Sequence, residues 1–183
     1  MSVPTLRRTF PEQHAVNRQV WERLIDDPSL NDVLEKIETD RDGNLIMSPP
    51  PRTPHRIRQH HINQLLERQL PEGGSFTEGA VSTPEGVKVA DAVWYRAENA
   101  RTLETADVSL PEFAPDICVE VRSKRNSKRD IQKKTDAYFG AGVQEVWVSD
   151  LDGTMTFYSR EGLLEHSAIC PAFPRHIPTT FLR

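Results

Sequence analysis

The chain has 183 residues, of which 37% are hydrophobic and 27% charged, and its formal net charge is −4. This length is enough to bury the core of one domain, and no apolar stretch approaches the roughly 18 residues that a membrane-spanning helix requires. The two cysteines lack a CxxC spacing, which excludes a disulfide framework and a cysteine zinc site. The first residues lack the apolar run of a signal peptide, so we expect a cytoplasmic protein without a membrane partner.

The positions of apolar residues, caps and turn signals predict a series of helices and strands. In the first half we expect a helix at 9–26, a hairpin of 33–38 and 44–47, a helix from 53 that ends before 71, and strands at 75–82 and 87–95. Residues 96–114 are polar and are expected to form a surface loop. In the second half we expect a strand at 116–123, a helix capped by Ser127, and strands at 144–149, 154–159 and 163–169.

The order of these elements predicts an α/β fold. The helix between the strands at 116–123 and 144–149 is a crossover unit, which makes those two strands parallel. The earlier strands are joined by turns and are expected to be antiparallel, so the sheet is mixed and has helices on its faces. We divide the chain into an N-terminal helical extension (1–32), the α/β domain (33–170) and a C-terminal tail (171–183).

Two carboxylates interrupt strands that are otherwise apolar. Asp91 lies within VKVADAVWY, and Glu120 lies within DICVEVRS on the same strand face as Arg122. A buried carboxylate is unfavourable unless it is paired or binds a cation. Asp91 and Glu120, helped by a backbone carbonyl such as that of Val121, could hold Mg²⁺ or Mn²⁺ and so support phosphodiester hydrolysis.

Basic residues follow the second carboxylate. Residues 122–134 contain seven Lys or Arg and one acid, a local charge of +6, so the rest of the chain carries −10. Arg122 and Lys134 are the expected cationic helpers, since a nearby cation offsets the charge that develops on the phosphate. Arg122 is also expected to contact the phosphates of a nucleic acid, together with Lys124, Arg125 and Lys128.

A purely structural interpretation uses the same residues. In it, Asp91 ends a hairpin, and Glu120 and Arg122 form a surface cross-strand pair of the kind that stabilises sheets by roughly 0.2–1 kcal/mol. The basic run at 124–129 is then a solvated loop. An Asp followed by a distant Glu-x-Arg is a weak motif, so the residues alone leave both interpretations open.

A longer pattern resembles a known family. The string FAPDICVEVRSKRNSKRDIQKKTDAYFGAGVQEVWVSD resembles the Uma-two family of proposed restriction endonucleases, and DGNLIMSPPPRTPH and VADAVWY resemble its hairpin and its Asp-bearing strand. The likeness covers roughly residues 33–160 in order. It implies a PD-(D/E)XK nuclease with an αβββαβ core that cleaves DNA with Mg²⁺. It also implies a homodimer, since cutting both strands needs two sites.

The resemblance assigns roles to individual positions. Asp91 corresponds to the first acid of the motif, Glu120 to the second and Arg122 to its final basic residue. Gln132 and Lys134 correspond to polar helix positions that support the site, and Gln132 is expected to contact nucleic acid. Auxiliary polar residues of the family occur in the regions that contain His55, Glu67 and Glu78.

The sequence departs from the family pattern at three positions. Ala90 replaces a proline that commonly precedes the first acid. Asp116 is a rival acid, but it lies four strand residues, about 13 Å, from Glu120, so a capping role is expected. Arg122 stands where the superfamily has lysine, and arginine cannot act as a base. Either a metal-bound water needs only electrostatic help, or Lys134 supplies the ammonium from the neighbouring helix. If neither holds, the fold binds nucleic acid without cutting it, and a protein-interaction domain is a third possibility.

Overall fold

The computed structural model describes residues 8–30, 33 and 36–180. Its helices are α1 (Phe10–Ile25), α2 (Thr53–Gln69), α3 (Ala97–Thr105) and α4 (Lys128–Ala141), with a short 3₁₀ helix at Pro28–Leu30. Its strands are β1 (Lys36–Thr39), β2 (Leu45–Ser48), β3 (Gly74–Thr83), β4 (Gly86–Tyr95), β5 (Ile117–Val121), β6 (Glu145–Ser149), β7 (Met155–Ser159) and β8 (Gly162–Leu164).

Strands β3 to β8 form one six-stranded mixed sheet in chain order. Neighbouring strands are antiparallel except for β5 and β6, which are parallel and are connected through α4. Strands β1 and β2 form a separate antiparallel hairpin that contacts β4. The predicted α/β class, the mixed sheet and the crossover helix are therefore confirmed.

Local caps fix where the helices begin and end. At the start of α1, the Thr9 amide donates to the Glu12 carboxylate at 2.8 Å. At the start of α4, the Asp130 amide donates to Ser127 Oγ at 3.1 Å, which is the predicted cap. Helix α4 ends at Gly142, whose φ of +99° lies in the left-handed region that glycine adopts without strain.

The sheet is buried on both faces. Large side chains pack between one face, α2 and the C-terminal segment: Ile62, Leu66, Trp147, Phe157 and Phe173. The other face packs against α3 and α4 through a second cluster: Val93, Tyr95, Cys118, Tyr138 and Val146. Because both faces are covered, a charged side chain in the middle of β4 or β5 is withdrawn from bulk water unless a cleft reaches it.

The structure contradicts two of the elements predicted from the sequence. The segment 96–114 is not a loop throughout, because it contains α3, a helix in which no residue is fully buried. The expected strand at 163–169 is reduced to β8, which ends at Leu164. Part of the expected strand at 33–38 lies outside the described residues. Among the described helices, none is long and apolar enough to cross a membrane.

Candidate active site

Three acids lie at the same level on three neighbouring strands. The β3–β4 register places Glu78 opposite Asp91, although Glu78 itself leaves the regular pairing with a φ of 57°. Strands β4 and β5 are antiparallel, and Ala92 pairs with Val119. Asp91 on β4 and Glu120 on β5 are the next residues beyond this pair, so they lie at the same level. A non-glycine residue in the left-handed region is strained, and such strain concentrates at functional sites.

The Asp91 carboxylate is buried and is held from several sides. Its Oδ1 lies 2.7 Å from Lys36 Nζ and 3.3 Å from His55 Nε2, and its Oδ2 accepts from the Val121 amide at 2.6 Å. The backbone carbonyl of Asp91 accepts from Gln59 Nε2 at 2.7 Å. Burial alone would raise the pKa of Asp91, but the charge of Lys36 and the hydrogen bond from His55 hold it below its usual range.

The Glu120 carboxylate is bound by helix α4. Lys134 Nζ lies 3.0 and 3.1 Å from its two oxygens, and the Tyr138 hydroxyl donates to Oε1 at 2.6 Å. Burial raises the pKa of Glu120, and the charge of Asp91 raises it further against the opposing effect of Lys134. Burial lowers the pKa of Lys134, but the surrounding carboxylates raise it more, so this ammonium stays protonated.

These contacts form one network, which we call the carboxylate cluster. Lys36 bridges Asp91 and Glu78, and its Nζ lies 3.5 Å from Glu78 Oε2. Lys134 bridges Glu120 and Glu38, and its Nζ lies 2.8 Å from Glu38 Oε1. Two ammonium groups therefore face four carboxylates, which leaves two uncompensated negative charges when all the acids are ionised. The cluster has the charge that one divalent cation would neutralise.

The cluster lies in an open cleft of about 1950 Å³. Exposed basic side chains line the cleft, together with exposed acids such as Asp42 and Asp130. The basic residues come from three places. Arg52 and Arg56 lie at the start of α2, Lys124 and Arg125 lie in the β5–α4 loop, and Lys133 lies on α4. The positions of these side chains suit a polyanion that would reach the carboxylates between them.

Arg122 does not occupy the predicted position beside the carboxylates. Its Nη1 donates to Asp150 Oδ1 at 2.7 Å, although its side chain still lines the cleft. Lys128 is exposed outside the cleft lining, and so is Gln132, which donates to Asp136 at 2.9 Å on the surface of α4. The ammonium beside Glu120 comes from Lys134, one of the two alternatives that the sequence left open.

The structural interpretation of the two acids is wrong. Glu120 is 4% exposed and pairs with helix α4, so it forms no surface pair with Arg122. The rival acid Asp116 is likewise buried, but it accepts from the amide and side chain of Arg96 at 2.8 and 2.7 Å and from Gln144 at 2.7 Å. Asp116 therefore ties the start of β5 to its neighbours, as the capping role requires.

Sequence reasoning missed the contribution of the hairpin. Lys36 and Glu38 are two residues apart on β1, so they share one strand face and both reach the cluster. The alternation Lys-Ile-Glu beside a turn was the available signal. Of the three auxiliary positions, His55 and Glu78 join the cluster, while Glu67 remains on the exposed surface of α2.

The donor set suits a hard divalent cation more than a soft one. Among the described residues, no group of three or more His, Cys, Asp and Glu side chains converges as a complete metal cage. Mg²⁺, however, is usually bound through one or two carboxylates and keeps several waters. Asp91 and Glu120 supply those oxygens, and the charge excess of the cluster would favour such an ion, so the residues fit Mg²⁺ or Mn²⁺.

A mixed sheet with a crossover helix and buried acids on adjacent strands defines the class of restriction-endonuclease-like folds. The solved structure described as "a putative nuclease belonging to DUF820", from Anabaena variabilis, superposes with a TM-score of 0.63. The match covers 78% of this chain and 87% of that one at 18% identity, so it shows the shared fold.

The family itself is identified from the sequence. The model of the family "Uma2: Putative restriction endonuclease" matches residues 22–176, and the chain belongs to this family. The predicted family is therefore confirmed. No curated protein gives a significant match to the chain.

Proposed function

We propose that this protein is an endonuclease that uses Mg²⁺ or Mn²⁺ to hydrolyse phosphodiester bonds of DNA in the cytoplasm. The observation that carries the proposal is the carboxylate cluster, in which four carboxylates face two ammonium groups and which lines a cleft that exposed basic side chains also line. The family description and the nuclease fold of the solved neighbour support the reaction class.

The residues of the cluster divide the work of hydrolysis. Asp91 and Glu120 would hold the metal, which when bound supplies a Lewis acid and a more acidic water. Lys134 stays protonated, so it would stabilise negative charge on the phosphate electrostatically instead of acting as a base. Tyr138 and the Val121 amide orient the two carboxylates through the hydrogen bonds that they donate.

Metal binding and plasmid nicking test the proposal together. In Asp91→Asn and Glu120→Gln variants, we expect calorimetry to show at least tenfold weaker Mg²⁺ or Mn²⁺ binding and nicking to fall by two or more orders of magnitude. These isosteric changes remove a charged ligand and its electrostatic help. The matched control is Glu67→Gln, an exposed acid on α2. Unchanged nicking in both cluster variants would refute the proposal.

A second candidate is a nucleic-acid-binding module that does not cut. This candidate is favoured by the contacts of Lys36 and Lys134. The ammonium of Lys36 lies 2.7 Å from an oxygen of Asp91, and that of Lys134 lies 3.0 Å from an oxygen of Glu120, so each acid already has a positive partner. This module would bind DNA equally well with and without divalent metal, and Asp91→Asn would leave its affinity unchanged or higher. Fluorescence anisotropy in EDTA and in Mg²⁺ separates the two candidates.

A further inference from the structure

Two arginines converge on one residue at the end of β6. Arg58 of α2 donates from Nη1 to the backbone carbonyl of Asp150 at 3.1 Å. Arg122, which directly follows β5, donates from Nη1 to the carboxylate of Asp150 at 2.7 Å and from its amide to Ser149 at 2.8 Å. Asp150 therefore fixes two guanidinium groups that come from different elements, and both side chains line the cleft.

These guanidinium groups have unused donors. A guanidinium carries five N–H groups, and each of these two uses only Nη1 toward the described residues. The buried Nε atoms of Arg58 and Arg122 have no hydrogen-bond partner among the described residues. Arg58 is 7% exposed, and its unpaired Nε is withdrawn from bulk water. Buried charged donors without an acceptor are unfavourable, which points to a partner that is absent when the cleft is empty.

The local charge favours an anion. Two guanidinium groups share one carboxylate, and the Asp150 carboxylate also accepts from the Leu151 amide at 2.6 Å. Burial lowers the pKa of Arg58, and the nearby charges of Asp152 and Asp150 only partly oppose this effect. No acid of the described chain forms a carboxylate contact with Arg58 within ion-pair distance.

The arginine pair adjoins the carboxylate cluster. Arg58 precedes Gln59, which binds the carbonyl of Asp91, and Arg122 follows Val121, whose amide binds the carboxylate of Asp91. A group bound by the arginines would therefore lie next to the reacting phosphate in the proposed function. The planar fork of arginine matches the oxygens of a phosphate in two parallel hydrogen bonds.

We infer that Arg58 and Arg122 form a phosphate-binding subsite that takes a backbone phosphate of the nucleic acid beside the bond that is cut. The inference rests on the proposed function for the nature of the substrate. It places the binding role that the sequence predicted for Arg122 beside Asp150, and it gives Arg58 a role that neither its sequence position nor the family motif indicates. Asp150 positions both side chains.

Inorganic phosphate is the probe for this subsite, in the full chain without divalent metal. Arginine Nε–Hε signals are recorded by ¹H–¹⁵N NMR during a phosphate titration, with chloride of equal ionic strength as the reference. We expect saturable shifts for Arg58 and Arg122, while Arg68, which is exposed on the same helix, stays unchanged. Absence of saturable shifts at Arg58 and Arg122, or equal shifts at Arg68, would overturn the inference.

Affinity for a short DNA duplex in EDTA provides a second readout. We expect Arg58→Gln to weaken binding about tenfold, the effect of losing hydrogen bonds to a charged group, and Arg68→Gln to have no effect. Equal affinity of Arg58→Gln and the unmodified protein would contradict the subsite. Neither measurement uses metal or cleavage. If the protein binds phosphate at this subsite but does not nick DNA, the nuclease proposal is refuted and the subsite stands.

Discussion

Lys134 is the residue on which most contacts of the cluster converge. Its ammonium lies 2.8 Å from Glu38 and 3.0 Å from Glu120, and it also donates to the carbonyl of Val89 at 3.2 Å. Both carboxylates are less than 10% exposed. An ion pair in such surroundings adds little net stability, but removal of one partner leaves the other charges buried and uncompensated.

Lys134→Met should therefore destabilise the fold as well as stop cleavage. We expect the free energy of unfolding to fall by about 3–5 kcal/mol, the range for breaking a buried ion pair. Urea denaturation followed by circular dichroism measures the change. Lys133→Met is the matched control, because Lys133 is the exposed neighbour on α4. If both variants had the same midpoint, Lys134 would not be the counter-ion of the cluster.

The sequence indicates some residues of the cluster better than others. Asp91 and Glu120 stand out because each interrupts an apolar strand, and the structure brings both together with Lys134. Arg122 was also expected beside Asp91 and Glu120, but its guanidinium group binds Asp150 instead. The alternation in β1 places Lys36 and Glu38 on one strand face, but the sequence does not show that this face meets Asp91, because that depends on how the hairpin docks against β4.

The hairpin of β1 and β2 is the element that completes the cluster. Its Thr39 accepts from Val87 and Lys88 at 2.9 and 2.7 Å, and Glu38 accepts from the Val89 amide at 3.0 Å. These bonds dock β1 against β4 and so place Lys36 beside Asp91. The docking requires the turn between β3 and β4 to approach the hairpin backbone closely.

Gly86 permits that approach. A Cβ atom at Gly86 would lie 2.3 Å from the carbonyl oxygen of Asp40, and the φ of Gly86 is +97°. Gly142 has a nearly equal φ of +99° but open space around it. Gly142→Ala should therefore lower stability by about 1–2 kcal/mol through backbone strain alone. Gly86→Ala should lower it by about 1–3 kcal/mol more, because the hairpin must shift.

Thermal unfolding and metal calorimetry measure these two effects. Gly86→Ala should also weaken metal binding, since the shift moves Lys36 and Glu38, whereas Gly142→Ala should leave metal binding unchanged. Equal losses of stability in the two variants would show that the hairpin does not constrain the turn.

The elements themselves were predictable wherever a local signal marks them. The cap at Ser127 and the glycine at Gly142 bound α4, and the apolar alternation of β4 and β5 marks the sheet. Helix α3 has no such signal, because its apolar residues Ala100 and Leu103 are only partly buried against the sheet. Its position depends on packing, which local periodicity does not reveal.

The whole molecule carries its charge unevenly. The net charge is −4, yet residues 122–134 carry +6, and several of their basic side chains line the cleft. Arg52 and Arg56, at the start of α2, line the same cleft. An acidic protein of this kind can bind a polyanion at one basic cleft while the rest of its surface repels nonspecific contacts.

Binding to DNA should accordingly weaken steeply as salt rises. Each phosphate neutralised by a Lys or Arg contributes about −0.9 to the slope of log K against log salt concentration. Lys124→Gln and Arg125→Gln should each reduce the magnitude of that slope by about 1, whatever the DNA sequence. Arg101→Gln, at an exposed arginine of α3 outside the cleft lining, should leave the slope unchanged.

The salt series also tests the third alternative that the sequence left open. A protein-interaction domain would show no fall in DNA affinity with salt, because no counterions would be released from DNA. If the slope were steep but equal in all three variants, DNA would bind outside the cleft, away from the carboxylate cluster. A slope that decreases only in the cleft variants requires the polyanion to contact the β5–α4 loop, which lines the same cleft as Asp91 and Glu120.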